Sequence, residues 1–125
     1  MPSEKIYVIQ KHNASHLHYD LRLEFDGVLK SWAVPKLPPT IKGIKRLAVA
    51  VADHEKSYAK FSGKIPEGVY GAGKVEIWDS GTYNLIEKDK NKIVVDIHGK
   101  KLSGEYILLK TKLGGKEENW LFFKK

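Results

Sequence analysis

Residues 17–25 alternate between apolar and polar side chains, and this alternation constrains the fold more than any other feature of the sequence. Side chains two residues apart on a β-strand point the same way, so one face of this segment would be apolar and the other polar. The Asp26-Gly27 dipeptide that follows is typical of a tight turn. The segment therefore predicts a β-hairpin whose first strand has these residues on its apolar face: Leu17, Tyr19, Leu21, Leu23 and Phe25.

Shorter period-two patterns continue along the chain and predict further strands at residues 5–10, 28–34, 46–52, 74–79, 82–87, 92–98, 102–111 and 120–124. Ser80-Gly81 would be the turn of a second hairpin, Asp53 would cap a helical turn over residues 53–60, and residues 63–73 would form a Gly/Pro-rich loop. We expect a mainly β protein: one domain over residues 1–125, built as a small closed or nearly closed barrel of about eight strands with one or two short helical segments.

Composition excludes several classes of function. The 125-residue chain has no cysteine, which excludes a disulfide scaffold, a thiolate zinc site and a cysteine nucleophile. No apolar run approaches the roughly 18–20 residues of a membrane span, and no apolar segment typical of a signal peptide follows the N-terminus. We expect a soluble, cytoplasmic monomer with no membrane association. Its net charge of +7 makes a polyanion such as nucleic acid a reasonable partner.

The polar face of the first hairpin strand carries residue types that bind metal ions. His18 and Asp20 would point the same way, and His12 at the end of the preceding strand could fold over them. Two imidazoles and one carboxylate form a ligand set with open positions, which suits Mn²⁺ or Zn²⁺, and Fe²⁺ by geometry. The alternative is a row of solvent-facing polar residues on an amphipathic strand.

A candidate anion site continues the same row. Arg22 is one of only two arginines beside 20 lysines, and a guanidinium next to a metal ion suits a phosphate. His54 and Tyr58, four residues apart on the predicted helical turn, could add two donors if that turn packs near the row. The alternative for this pair is an exposed histidine and a half-buried tyrosine. The three tryptophans, Trp32, Trp78 and Trp120, lie in strand patterns typical of core residues, and the alternative is that they are platforms on which bases stack.

Taken together, these motifs resemble a known family. The resemblance to the phosphoesterase domain of bacterial DNA ligase D covers essentially the whole chain in order, and it is carried by residues 8–12, 17–24, 30–36, 45–49, 53–54, 63–73, 77–83 and 120–121. It implies an eight-stranded barrel and a metal-dependent enzyme that heals 3′ ends of DNA or RNA. Such an enzyme removes 3′-phosphates and 3′-terminal ribonucleosides, and leaves a 3′-OH for repair and ligation.

The resemblance also implies roles for individual residues. His12, His18 and Asp20 would hold Mn²⁺, with Co²⁺ or Zn²⁺ as possible substitutes. Residues that would contact the scissile phosphate are Arg22, His54 and Tyr58, and basic residues that would lie along the nucleic acid are Lys36 and Arg46. The nucleophile, either an activated water or a histidine through a covalent adduct, stays open.

The expected partners are DNA or RNA 3′ ends in a primer–template. Because the sequence resembles the phosphoesterase module alone, the polymerase and ligase of end joining are expected to act in trans. Two other classes compete with this interpretation. A non-catalytic, basic nucleic-acid-binding β-barrel explains the charge and the fold but not the convergence of two histidines, an aspartate and an arginine. A 2-His-1-carboxylate Fe(II) oxygenase leaves the basic charge unexplained.

Overall fold

Nine antiparallel strands make up most of the chain. The computed structural model describes residues 4–69, 72–112 and 115–125. Its elements are β1 (Lys5–Asn13), β2 (Leu17–Phe25), β3 (Val28–Val34), β4 (Lys45–Glu55), a 3₁₀ helix (Lys56–Lys60), β5 (Gly63–Ile65), β6 (Gly73–Lys88), β7 (Lys92–Gly99), β8 (Ser103–Lys110) and β9 (Asn119–Lys124). Within these described ranges, no helix is both long enough and apolar enough to cross a membrane.

Eight of the strands close into a barrel. Their order is β1-β2-β3-β4-β9-β8-β7-β6, and β6 pairs back onto β1, while β5 lies on the first residues of β6. The barrel interior is a single apolar core, to which β2 contributes four of the predicted residues, Tyr19, Leu21, Leu23 and Phe25. The predicted mainly β barrel is therefore confirmed. Leu17, at the start of the strand, is the exception and lies exposed.

The β2–β3 hairpin forms as predicted. Asp26 and Gly27 have φ of 51° and 82°, the pair of positive values that a two-residue type I′ turn requires. At the end of the hairpin farthest from this turn, Tyr19 pairs with Val34, so the same register holds along the whole hairpin. The turn therefore fixes the register that sends the apolar residues inward and the polar residues outward.

The predicted hairpin at Ser80-Gly81 is wrong. β6 runs without interruption through both residues, pairing with β1 up to Tyr83 and with β7 from Gly81 onward. A Cβ atom on Gly81 would lie 2.1 Å from the carbonyl oxygen of His98. Glycine is needed here because two backbones approach closely, and not because the chain turns.

The predicted helical turn over residues 53–60 is shorter and begins later. β4 continues through Glu55, and only Lys56–Lys60 form a 3₁₀ helix, whose N-terminus has no side-chain cap. Asp53 is therefore a strand residue that pairs with Lys30 across the sheet at 3.5 Å, and not a helix cap. Within residues 63–73, which we predicted as loop, β5 occupies Gly63–Ile65, and Tyr70 and Gly71 lie outside the described residues.

A buried carboxylate fixes the segment after β7. Asp79 accepts hydrogen bonds from the Tyr7 hydroxyl at 2.8 Å and from the backbone N–H groups of Lys100, Lys101 and Leu102 at 2.9–3.1 Å. Four donors compensate for the removal of this charge from water.

Candidate active site

The polar residues predicted for the site face away from the apolar core of the barrel, yet three of them are buried. His12, Asp20 and Arg22 are only 8%, 7% and 3% exposed. They line a cavity of about 380 Å³ that is completed by His54 of β4, Tyr58 of the 3₁₀ helix and Ile65 of β5. The outward row of β2 thus lines a pocket because later segments fold back over the barrel wall.

A small apolar cluster holds the 3₁₀ helix against the outer wall of the barrel. Val8 and Leu29, which point outward from β1 and β3, pack with Ala59 of the 3₁₀ helix, and Tyr58 packs against the same cluster. Burial of these side chains is the hydrophobic contribution that keeps the 3₁₀ helix on the wall. The apolar patch therefore determines where Tyr58 sits relative to β2.

The three proposed metal ligands come together. His12 of β1 lies directly opposite His18 of β2, with ring centroids 4.7 Å apart, and Asp20 follows two residues along the same face. His12 Nδ1 is 3.5 Å from Asp20 Oδ2, and His18 Nε2 is 3.2 Å from Asp20 Oδ1. One ligand atom from each residue falls within 4.8 Å of the others, so the cluster can hold a metal ion.

The orientation of His18 suits metal binding. Its Nδ1 lies 3.2 Å from the carbonyl oxygen of His16, so Nδ1–H donates there. Nε2 faces Asp20 Oδ1 and carries the proton of that hydrogen bond when no metal is bound, whereas a bound ion would take the lone pair of Nε2 instead. Without a metal, the hydrogen bond to Asp20 raises the pKa of His18. Burial would raise the pKa of Asp20, but the hydrogen bond and charge of His18, with Arg22 and His12, lower it overall.

Arg22 is held on several sides beside this cluster. Its Nε–H donates to Gln10 Oε1 at 2.6 Å, and Nη1–H donates to Ser31 Oγ at 2.8 Å. The other terminal nitrogen, Nη2, is 3.4 Å from Asp20 Oδ2. The guanidinium also stands 4.9 Å from the centre of the Tyr58 ring. Burial lowers the pKa of Arg22, against the opposing effect of Asp20, although an arginine stays charged at neutral pH.

Sequence reasoning missed Gln10 and Ser31. The side chain of Gln10 is fully buried and also donates to the backbone carbonyls of Tyr58 and Phe61, at 2.8 and 3.2 Å. The spacing in the sequence could have indicated Gln10, because it lies two residues before His12 on β1 and therefore faces the same way. Ser31 had no comparable signal, because its role depends on the register between β2 and β3.

His54 and Tyr58 lie together in the cavity, although the helical spacing used to pair them is wrong. Their rings stack with centroids 4.5 Å apart, and Tyr58 stacks in turn on Phe61. Burial, helped by the charge of Arg22, lowers the pKa of His54. Burial also raises the pKa of Tyr58. In the free protein, His54 is therefore a neutral imidazole at pH 7.

Lys36 and Arg46 are not among the cavity-lining residues. Lys36 is exposed in the segment after β3, and Arg46 donates from Nε to the carbonyl oxygen of Leu37 at 2.8 Å. Arg46 and His54 are eight residues apart on β4, which corresponds to roughly 26 Å of extended strand. The structure therefore does not bring these two basic residues into the cavity that the other six candidates line.

Comparison with known proteins identifies the family. The family model described as the DNA ligase D 3′-phosphoesterase domain matches residues 10–110, which include all eight candidate residues. The chain belongs to this family. A site that combines a possible metal-binding cluster with a buried guanidinium agrees with a family of phosphoesterases.

Relatives with similar sequences include LigD proteins of several bacteria. The chain is 49% identical over 123 residues to the multifunctional non-homologous end joining protein LigD of Pseudomonas aeruginosa. This alignment covers 94% of the chain and 15% of the Pseudomonas protein. LigD of Mycobacterium tuberculosis is 50% identical over 109 residues (84% and 14%). LigD of Mycolicibacterium smegmatis is 48% identical over 126 residues (92% and 16%). The chain thus spans about one-seventh of the length of these relatives.

Proposed function

We propose that this protein is a metal-dependent phosphoesterase that acts on the 3′ ends of DNA or RNA during non-homologous end joining. It removes 3′-phosphates and 3′-terminal ribonucleosides, and the 3′-OH that it leaves is used by the polymerase and ligase of end joining. One observation carries the proposal: Arg22 Nη2 lies 3.4 Å from Asp20 Oδ2, so that a buried guanidinium adjoins a cluster of possible metal ligands within one cavity.

The donor set fits a divalent transition metal. His12, His18 and Asp20 provide two nitrogen ligands and one carboxylate, and we propose Mn²⁺ as the ion, with Co²⁺ or Zn²⁺ as substitutes. When bound, such an ion polarises a phosphate oxygen as a Lewis acid. The hydrogen bond from His18 Nδ1–H to the His16 carbonyl keeps the imidazole in the tautomer and orientation that this ligation needs.

Arg22 supplies fixed positive charge for the phosphate. Of its five N–H donors, one is committed to Gln10 and one to Ser31, which leaves three, including those near Asp20, for other acceptors. Because the side chain is already ordered and desolvated, little reorganisation is needed when negative charge develops on the phosphate oxygens. Arg22 thus stabilises the transition state and orients the group that reacts.

His54 and Tyr58 complete the shell of donors. The neutral His54 imidazole gains a proton more easily once a phosphate dianion lies beside it, because the anion offsets the lowering of its pKa by burial and by Arg22. It is then placed to donate that proton to the leaving 3′ oxygen. Tyr58 keeps its hydroxyl proton at neutral pH, since burial raises its pKa, and donates a hydrogen bond.

The test compares the protein with and without metal on a primer–template whose primer ends in a 3′-phosphate. We expect Mn²⁺ to support phosphate release, chelation to stop it, and His18→Ala to remove it. The matched control is His98→Ala, because His98 is an exposed histidine on β7 outside the cavity. Tight nucleic-acid binding with no turnover in any metal would overturn the proposal in favour of a non-catalytic binding barrel.

A further inference from the structure

A second cavity opens at one end of the barrel, and Val51 is the one residue that its lining shares with the lining of the candidate active site. It lies where β2, β4 and β6 finish and β3, β7 and β9 begin, and its volume is about 500 Å³, within the range of small-molecule sites. Its walls include three aromatic core residues, Phe25, Trp32 and Trp120, and the proposed mechanism uses none of them.

We propose that this end cavity receives the base of the terminal nucleotide whose 3′-phosphate occupies the candidate active site. The inference rests on the proposed function, since it assumes a nucleic-acid end as substrate. It adds a base-binding site to the phosphate site.

The two cavities lie back to back across the β3–β4 pair. The Ser31 hydroxyl accepts a hydrogen bond from Arg22, and Ser31 also belongs to the lining of the end cavity, together with its neighbours Lys30 and Trp32. On β4, Asp53 lines the end cavity and the next residue, His54, lines the candidate active site. Val51, which is 42% exposed, belongs to both linings. The two cavities therefore meet along β4, at Val51 and at the adjacent residues Asp53 and His54.

The walls have the chemistry of a stacking site. Trp32 and Trp120 meet edge to face with centroids 6.0 Å apart, and flat aromatic surfaces bind nucleobases of any sequence by stacking. The Trp32 side chain is buried, and its indole N–H is the buried side-chain donor that has no hydrogen-bond partner in the described part of the chain. This N–H has less than 1 Å² of accessible surface, so a base carbonyl or ring nitrogen would supply the missing acceptor when binding uncovers the indole.

The rim has the charge that a sugar–phosphate backbone needs. Three lysines and two aspartates line the cavity: Lys30, Lys88, Lys90, Asp53 and Asp89. The ammonium of Lys88 stands 5.0 Å from the centre of the Phe25 ring, and Lys30 is paired with Asp53. An apolar floor below a rim with a net positive charge suits a nucleotide better than it suits an uncharged apolar ligand.

The experiment fills the cavity without altering its polar groups. Ala50 lines the end cavity from β4, and Ala50→Phe would occupy the space, with Ala50→Leu as a milder second variant if the first is unstable. The matched control is Leu47→Phe on the same strand, because Leu47 is exposed and lines neither cavity. Thermal unfolding of each variant establishes that it is folded.

Binding is read from the indole N–H signals of the ¹⁵N-labelled protein, assigned beforehand, during titration with adenosine 3′-monophosphate. We expect the Trp32 and Trp120 signals to shift with the nucleotide and not with inorganic phosphate. Ala50→Phe should abolish the shift, and Leu47→Phe should keep it. Shifts that an uncharged apolar compound causes and the nucleotide does not would overturn the proposal.

Kinetics distinguish a failure of this inference from a failure of the proposed function. With a 3′-phosphate oligonucleotide, an abasic terminal residue should raise KM at least about fivefold, with kcat little changed, and Ala50→Phe should remove that difference. Turnover that ignores both the abasic residue and the filled cavity, without indole shifts, would refute the base site and leave the phosphoesterase standing. Indole shifts with no turnover on any end would refute the phosphoesterase and leave a nucleotide-binding cavity.

Discussion

Gln10 and Arg22 are joined by a buried hydrogen bond of 2.6 Å, and through Gln10 the guanidinium is coupled to the segment that carries Tyr58. The oxygen of the Gln10 amide accepts from Arg22, while its nitrogen donates to the carbonyls of Tyr58 and Phe61. A single amide group therefore makes hydrogen bonds to both sides of the cavity, to the Arg22 guanidinium on β2 and to the backbone of the segment that carries Tyr58. No other uncharged side chain type of this length can accept from one neighbour and donate to another in this way.

The coupling predicts a selective effect of Gln10→Glu. The carboxylate keeps the acceptor for Arg22 but cannot donate to the two carbonyls, so the 3₁₀ helix should loosen while Arg22 stays paired. We expect the free energy of unfolding to fall by about 1–3 kcal/mol and kcat on a 3′-phosphate to drop at least about tenfold, with metal affinity unchanged. Denaturant unfolding, steady-state kinetics and metal titration measure the three quantities; a weakened metal site would contradict a purely positioning role.

The metal cluster predicts a loss of binding that activity assays alone would not isolate. His18→Ala removes the imidazole whose Nε2 faces Asp20, so affinity for Mn²⁺ measured by calorimetry should fall more than about a hundredfold. His98→Ala, which changes a histidine paired with Asp96 on the barrel surface, should bind Mn²⁺ as the unmodified protein does. Equal affinity in both variants would place the ion elsewhere.

Arg22→Lys tests whether the guanidinium contributes geometry or only charge. Lysine keeps the charge but has its donors on one nitrogen atom, whereas Arg22 reaches Gln10 and Ser31 from two nitrogens of a planar fork, so kcat should fall by roughly a hundredfold or more. Binding of a nucleic-acid end should weaken only modestly. A variant as active as the parent would mean that Arg22 contributes only to the general positive field.

Buried tyrosines predict destabilisation in alkali. Burial raises the pKa of Tyr106 to about 12 in the folded protein, from an ordinary value of 10.0. Burial also raises the pKa of Tyr7 and of Tyr83. The unfolded chain therefore releases these protons first, so stability that is fully present below pH 10 falls as the pH rises toward 12 and beyond.

The measurement is denaturant unfolding at several pH values between about 8 and 12. Tyr106→Phe should show a shallower decline above pH 10, because one titrating group is removed. Below pH 10 it should also be less stable than the parent by about 1 kcal/mol, since the hydrogen bond from the Tyr106 hydroxyl to the Pro39 carbonyl is lost. A parent protein with constant stability across this range would show that the buried hydroxyls are not protonated as argued.

His54 and Arg46 should affect the two proposed substrates differently. A 3′-phosphate carries more negative charge and depends on the donors at its terminal oxygens, so His54→Ala should severely reduce its removal. Arg46 holds the carbonyl of Leu37, the residue after Lys36, so Arg46→Ala should disturb that segment and reduce removal of a terminal ribonucleoside more than removal of a phosphate. Time courses on matched primers test this division, which equal proportional losses for Arg46→Ala would refute.

The sequence by itself determined the barrel and the direction in which its polar residues point. The alternation of residues 17–25 and the Asp26-Gly27 turn leave one register in which the apolar side chains are buried, because a shift by one residue would turn all of them outward. That register places His18, Asp20 and Arg22 together on the other face. Period-two geometry is local, so it can be inferred from neighbouring residues alone.

Only the tertiary structure decided that this outer face is a cavity and that His54 and Tyr58 belong to it. The helical spacing proposed for this pair does not exist, and the two rings meet because β4 ends and the 3₁₀ helix packs on Val8 and Leu29. The requirement for glycine at position 81 likewise arises from the close approach of the His98 backbone on the next strand. These contacts join residues far apart in the chain, and their geometry comes from the closure of the whole barrel, which no local pattern encodes.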